Sequence, residues 1–251
     1  MSEVRPIIDS KLILHRGASA YAPENTLEAL RLAAEMGAKW IETDVRVSND
    51  NELVMIHDEE VDRTTDGSGF VAQMTLDEIK TLDAGGWFSG KYKGVKIPSL
   101  KEYLETCLKL DLGLVLELKV THGWEERLGN QVAKSIKEIW TGKPEKLVLS
   151  SFSERVLKIV EEQIPEFPRC LAVTAVPDDV EQRLKEINGK MIHLQHSFAN
   201  DEGLSNLKNA GCEFAFATVN DPTRAKLLLS QGASSIMTDR PDIFAASNAA
   251  E

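Results

Sequence analysis

The chain reads as an α/β protein of the (β/α)8, or TIM, barrel class with a small insertion after the second strand. Three observations predict this. Short apolar runs rich in β-branched residues alternate with amphipathic stretches from end to end, the pattern of parallel strands joined by helices. Eight such runs fall at 12–15, 40–44, 113–119, 147–151, 170–174, 191–195, 213–219 and 235–238. The length, 251 residues, is close to that of one such barrel, roughly 250 residues. Eight strands in this length favour a closed barrel over an open sheet, so residues 1–251 are expected to form one domain.

The helical patterns lie at 26–36, 100–110, 125–140, 154–163, 178–187, 201–209 and 223–231. One segment, at about 45–98, breaks the alternation between the second strand and its helix. A loop of that length without a role would argue against the assignment, so it reads as an insertion. It opens with a hairpin, because extended runs at 41–47 and 52–57 flank Ser48-Asn49-Asp50-Asn51, a strong turn composition. With the turn centred there, Glu42 lies opposite His57 and Asp44 opposite Met55, and His57 returns to the strand end the hairpin left. Asp66-Gly67-Ser68-Gly69 reads as a turn, since no P-loop or dinucleotide-binding pattern accompanies it. Trp87, Phe88 and Tyr92 are expected to form a small apolar core of the insertion rather than a wall over the site. Residues 245–251 read as a fraying tail.

Composition narrows the partners. Twenty-nine Lys and Arg against forty Asp and Glu give a formal charge of −11. Nucleic acid and anionic membranes attract basic patches, so neither is an expected partner. A small anionic substrate is compatible if positive charge is gathered at one place, and a bound metal supplies such charge. The three cysteines are widely spaced, with no CxxC pair, and read as reduced thiols. The N-terminus lacks a basic start followed by an apolar run, and no apolar stretch approaches the roughly 20 residues that span a bilayer. A soluble, cytoplasmic protein without stable membrane association is expected; homo-oligomerisation is left open.

Barrel enzymes work at the C-terminal ends of their strands. There the chain places His15-Arg16-Gly17, Glu42-Thr43-Asp44, His57-Asp58, Glu117-Leu118-Lys119 and Thr238-Asp239-Arg240-Pro241. Alternate residues of a strand share a face, so Glu42 and Asp44 point together, as do Glu117 and Lys119. Three carboxylates turned into a barrel repel one another and are costly to desolvate, which a hard divalent cation with oxygen ligands resolves. The competing reading turns Glu42 and Asp44 outward to pair with surface cations. His15 and His57 fall beside the carboxylates and suit proton transfer near neutral pH, unless they are hydrogen-bonded core residues. His193 and His196 lie near the end of the sixth strand and can line the pocket; His122 sits in a solvated loop. Arg16 and Lys119 suit phosphate oxygens, or compensation of the carboxylates, or both. Pro23-Glu24-Asn25-Thr26 reads as a loop with helix-capping residues.

Taken together, HRGASAYAPENTLEAL, IETDVRVSNDNELVMIHDEEVDRTTDGSG, IPSLKEYL, LELK, SSF, ATVND and MTDRP resemble the glycerophosphodiester phosphodiesterase family in order and spacing, from His15 to Pro241. HRG alone would say little; HRG, PENT, E-x-D, HD and E-x-K in that order are highly specific. The resemblance implies a barrel with an insertion after the second strand. It implies that Glu42, Asp44 and Glu117 bind one divalent cation, Mg²⁺ or Ca²⁺. His15 and His57 are implied as the acid–base pair, and Arg16 and Lys119 as the phosphate-holding cations. The implied reaction yields sn-glycerol 3-phosphate and an alcohol such as choline or ethanolamine. The chain departs from the family at Ala217, where an aromatic residue, commonly Trp, precedes T-V-N; this bears on the alcohol group rather than the chemistry. Two other readings stay open: a lysophospholipase D-like phosphodiesterase, and a non-catalytic metal- or phosphate-binding barrel.

Overall fold

The structure, a computed structural model, describes residues 6–244, and the predicted tail at 245–251 lies outside them. Nine strands form one sheet: β1 (Leu12–His15), β2 (Trp40–Val47), β3 (Leu53–Met55), β4 (Gly113–Leu118), β5 (Leu147–Ser151), β6 (Arg169–Val173), β7 (Met191–Gln195), β8 (Glu213–Ala217) and β9 (Ser235–Thr238). Their order is β1-β9-β8-β7-β6-β5-β4-β2-β3, and β1 also pairs with β2, which closes eight parallel strands into a barrel. The predicted (β/α)8 class is therefore the observed one. β3, antiparallel on the upper half of β2, is the excursion above the barrel.

Eight α-helices connect or flank the strands: α1 (Leu27–Glu35), α2 (Leu76–Thr81), α3 (Leu100–Lys109), α4 (Glu125–Ile139), α5 (Glu154–Gln163), α6 (Val180–Glu186), α7 (Asp201–Asn209) and α8 (Pro222–Ser230). Several ends sit a residue or two inside the predicted ranges because the outermost residues are caps. Thr26 caps α1 by accepting from the Ala29 N–H, and Asp221 caps α8 with Pro222 in the first turn. Ser99 and Glu102 form a capping box on α3. Buried Leu128, Val132, Ala133 and Ile136 make the inward stripe of α4. Among the described residues no helix is long and apolar enough to cross a membrane.

Every residue of β2 is buried, as expected of a strand with helices outside and side chains inside. Ile41 and Val45 face the helix layer with Leu30, Leu104 and Leu116. The floor of the barrel is an apolar plug that includes Ile13, Trp40, Val115, Val148, Met191 and Met237. Gly113 is required there, since a Cβ would sit 2.5 Å from the Trp40 ring. This plug fills the lower barrel and leaves the upper ends of the strands for polar residues.

The insertion keeps its own core of Val54, Ile56, Val61, Val71, Ile79, Ala84 and Ile97. Two expectations are corrected here. The hairpin register is one residue away from that predicted: Val45 pairs with Met55 and Val47 with Leu53. Ser48 and Glu52 bond to each other across Asn49-Asp50-Asn51, and Asn51 takes φ 69. The loop thus has three residues ending in a left-handed position, which Asn tolerates, so the pairing shifts by one. Asp44 then accepts from the Ile56 N–H through its carbonyl. The second correction concerns Trp87, Phe88 and Tyr92, which form an edge-to-face surface cluster rather than the insertion core. The polar groups of Trp87 and Tyr92 explain this placement: Trp87 donates to the Ala84 carbonyl and Tyr92 to the Tyr21 carbonyl, and Phe88 packs edge-to-face on both rings.

Candidate active site

The loop after β1 turns sharply. Arg16 takes φ 58 and Gly17 φ 87. A Cβ on Gly17 would lie 2.8 Å from the Ala29 backbone, so only glycine fits between this turn and α1. The turn directs the Arg16 N–H to the Glu42 carbonyl at 2.8 Å and to Glu42 Oε2 at 3.2 Å. It also carries the Arg16 side chain over the mouth of the barrel.

Glu42 and Asp44 point inward from β2, and Glu117 from β4, where it pairs in register with Asp44. One oxygen from each lies within 4.8 Å of the others, an arrangement that can hold a metal ion. Glu42 and Asp44 are each 1% exposed, so the outward-facing alternative does not hold. Burial, then Asp44 and Glu117, push the Glu42 carboxyl well above the usual range. Burial raises Glu117 likewise. Burial also acts against ionised Asp44, but Lys119 and Arg16 outweigh it and hold that carboxyl at about 2. Lys119 Nζ lies 3.3 Å from Asp44 Oδ1 and 2.5 Å from Glu117 Oε1. Arg16 Nε lies 3.2 Å from Asp44 Oδ2, and its Nη1 2.7 Å from Glu24. Glu42 Oε1 is buried without a hydrogen-bond partner. An all-oxygen donor set on rigid strands, with one oxygen unsatisfied, fits a hard divalent cation.

The two histidines flank this cluster. His15 Nδ1 lies 2.7 Å from Asp239 Oδ1, and its Nε2 lies 3.9 Å from Glu42 Oε2. Asp239 also accepts from Ser19 Oγ and Asn220 Nδ2; burial acts against its ionised form, but His15 first, then Asn220 and Ser19, outweigh it and hold the carboxyl at about 2. His57 Nδ1 lies 2.7 Å from Asp58 Oδ1. Burial lowers the His57 pKa, opposed by nearby Asp44. Each ring thus has Nδ1 on a carboxylate, which leaves Nε2 as the free nitrogen.

A cavity of about 450 Å³ opens over the site, and His15, Arg16, His57, Glu117 and Lys119 all line it. Its opposite wall rises from β5–β8 with Phe152, Ala172, His193, Gln195 and Ala217. All seven residues singled out by the sequence, Glu42, Asp44, Glu117, His15, His57, Arg16 and Lys119, therefore meet at one place. His193 lines the pocket, whereas His196 opens a short turn away from it and His122 is exposed in its loop.

The supporting residues escaped the sequence reading. Asn25 is more than a cap neighbour: its side chain donates to Asp44 Oδ2 at 2.9 Å and accepts from the Thr43 hydroxyl at 2.7 Å. Glu24 joins Arg16 to Arg63, which in turn grips Asp58. A carboxylate directly after His57 was a usable signal for Asp58. Asp239 was legible as a carboxylate at the end of the last strand, though not as the partner of His15, and for Arg63, which reaches the site from the insertion, the sequence offered no signal.

A (β/α)8 barrel with a three-carboxylate cluster, two carboxylate-bound histidines and two cations at its strand ends has the layout of an enzyme acting on phosphate esters. The sequence profile of the Glycerophosphoryl diester phosphodiesterase family matches residues 15–243. The Bacillus subtilis (strain 168) protein YhdW is 36% identical over 244 residues, 93% of this chain and 96% of its own. A glycerophosphodiester phosphodiesterase of Caldanaerobacter subterraneus subsp. tengcongensis is 34% identical over 235 residues, 92% of this chain and 94% of its own. A phosphodiesterase from Oleispira antarctica, solved with its product sn-glycerol 3-phosphate, superposes with a TM-score of 0.91 at 36% identity, covering 95% of this chain and 97% of that one. The chain belongs to the glycerophosphodiester phosphodiesterase family, and so is a phosphoric diester hydrolase.

Proposed function

We propose that this protein hydrolyses glycerophosphodiesters, such as glycerophosphocholine and glycerophosphoethanolamine, to sn-glycerol 3-phosphate and an alcohol. The single observation that carries the mechanism is the pair His15 and His57, each bound at Nδ1 by a carboxylate and lining one cavity with Glu117, Arg16 and Lys119. Glu42, Asp44 and Glu117 are the residues that would hold one divalent cation, Mg²⁺ or Ca²⁺. When bound, such an ion polarises a phosphoryl oxygen and lowers the pKa of a nearby hydroxyl. Arg16 and Lys119 hold the phosphoryl oxygens and stabilise their charge. One histidine takes the proton of the glycerol 2-hydroxyl as its oxygen bonds to phosphorus. The other gives a proton to the alcohol oxygen as its bond to phosphorus breaks. The resulting cyclic phosphate is opened by water, with the histidines exchanging roles. Attack within one substrate molecule removes much of the entropic barrier. The whole barrel with its insertion acts as one catalytic domain, on a small-molecule substrate, in the cytoplasm.

The test is release of glycerol 3-phosphate from both diesters with Mg²⁺, with Ca²⁺ and with EDTA. Turnover restored by one metal and abolished by EDTA is expected. No turnover with any metal would overturn the reading in favour of a binding barrel or another diester.

A further inference from the structure

The pocket has two unlike halves. The charged groups gather on β1, β2, β4 and the insertion, whereas the wall from β5–β8 carries none of them. We propose that this second wall receives the alcohol released in the reaction, and that it selects neutral, hydroxyl-bearing alcohols through a hydrogen bond to His193 Nε2. The proposal rests on the glycerophosphodiesterase reading above and specifies its substrate class.

Three observations carry it. His193 projects from β7 into the barrel, is 6% exposed, and lines the pocket, yet its Nε2 is buried without a hydrogen-bond partner. A buried polar atom is ordinarily satisfied, so an unpaired one on a side chain that lines a cavity points to a ligand that pairs with it. The residues in register with His193 on both neighbouring strands are alanines, Ala172 and Ala215, small side chains that bring no polar group to the ring. Gln195, paired with Ala217 one layer higher, adds an exposed amide at the rim.

The same wall disfavours a cationic alcohol. Among the described residues Glu117 is the one carboxylate lining the pocket, and Lys119 already pairs with it. Phe152 is the lining aromatic on this side, 58% exposed, and its ring already has the Lys119 ammonium 5.8 Å from its centre. A second cation on that ring would meet Lys119, so the usual aromatic seat for a quaternary ammonium is compromised. His193 is itself uncharged at neutral pH, because burial holds its pKa down at about 4. A polyol thus finds a neutral acceptor or donor, and choline finds neither carboxylate nor free ring.

The test compares kcat/KM for glycerophosphoglycerol and glycerophosphocholine on the metal-loaded enzyme. The wild type is expected to prefer the glycerol diester by about tenfold, the effect of one good hydrogen bond. His193→Leu should lose about tenfold on that diester, mainly through KM, while the choline diester stays within about twofold. His193→Gln, which keeps a hydrogen-bonding group, should recover most of the loss. Gln195→Ala, at the exposed rim, is independent of core packing and should lower kcat/KM for the glycerol diester alone. Turnover of both diesters without preference, or equal losses on both in these variants, would overturn the polyol subsite and leave the activity standing. No turnover of either by the wild type would overturn the activity and the subsite together.

Discussion

His15 and His57 sit on different segments but are held in the same way, by a carboxylate on Nδ1. The carboxylate fixes ring orientation and tautomer, which leaves Nε2 as the free nitrogen of two rings that line the pocket. As the proposed acid–base pair they should contribute what such groups typically do, about 10²–10⁴-fold. His15→Ala and His57→Ala should each lower kcat by about that much, with circular dichroism and thermal midpoint close to wild type. Near-native turnover in either variant would remove that histidine from the mechanism. His193 gives a different prediction, in stability. Its pKa, about 4, lies below the usual 6.5 because burial disfavours the charged ring. The unfolded chain therefore binds more protons between these values, and stability is lost as pH falls through that window. Going from pH 7 to pH 4.5 should withdraw roughly 2–3 kcal/mol through this one group. Urea unfolding of wild type and His193→Gln at both pH values measures it, and the variant should show the smaller loss.

The first loop and the insertion act as a brace. Glu24 and Asn25, just before α1, fasten Arg16, Arg63 and Asp44, so the mouth of the barrel is tied to the segment that carries His57. Asn25 is 2% exposed and takes φ 56, a left-handed position that Asn accepts more readily than most residues. Asn25→Ala removes one donor and one acceptor from buried partners and strains the backbone. It should destabilise the protein by about 2 kcal/mol, within the range for an unsatisfied buried group. Metal affinity measured by calorimetry should fall as well, because Asp44 loses its orienting bond. A stable Asn25→Ala protein with unchanged metal affinity would mean that β2 alone positions Asp44.

Across the whole barrel, polar and apolar layers are separated. The apolar plug fills the lower half and the carboxylates crowd the upper half, where their mutual repulsion opposes folding. A cation that binds only the folded barrel should relieve this. At a concentration 100 times its dissociation constant it adds about 2.7 kcal/mol, worth roughly 5–10 °C in a chain of this size. Thermal melts in EDTA and in saturating Mg²⁺ or Ca²⁺ should differ by that amount in the wild type. Glu42→Gln should shrink the difference, and an undiminished shift in this variant would remove Glu42 from the ligand set.

The alternation of β-branched and amphipathic runs determined the barrel, because strand and helix periods are local properties of the chain. The same reading put Glu42 and Asp44 on one face of their strand, and Glu117 and Lys119 on one face of theirs, since side chains on a strand alternate regardless of what surrounds them; only the register of β2 against β4 sets Asp44 beside Glu117. Gly17, within HRG, was equally legible as motif, though its reason, the contact with Ala29, was not. Tertiary structure decided the rest. The hairpin register depended on Asn51 adopting a left-handed conformation, which composition allows but does not impose. The partners of His15 and His57 come from Asp239 in one case and the next residue in the other, and only barrel closure of β1 against β9 brings Asp239 across 224 positions. Trp87 and Tyr92 went to the surface because their hydrogen bonds lie there, with Phe88 packed against both, a competition between burial and polar satisfaction that is settled only in three dimensions.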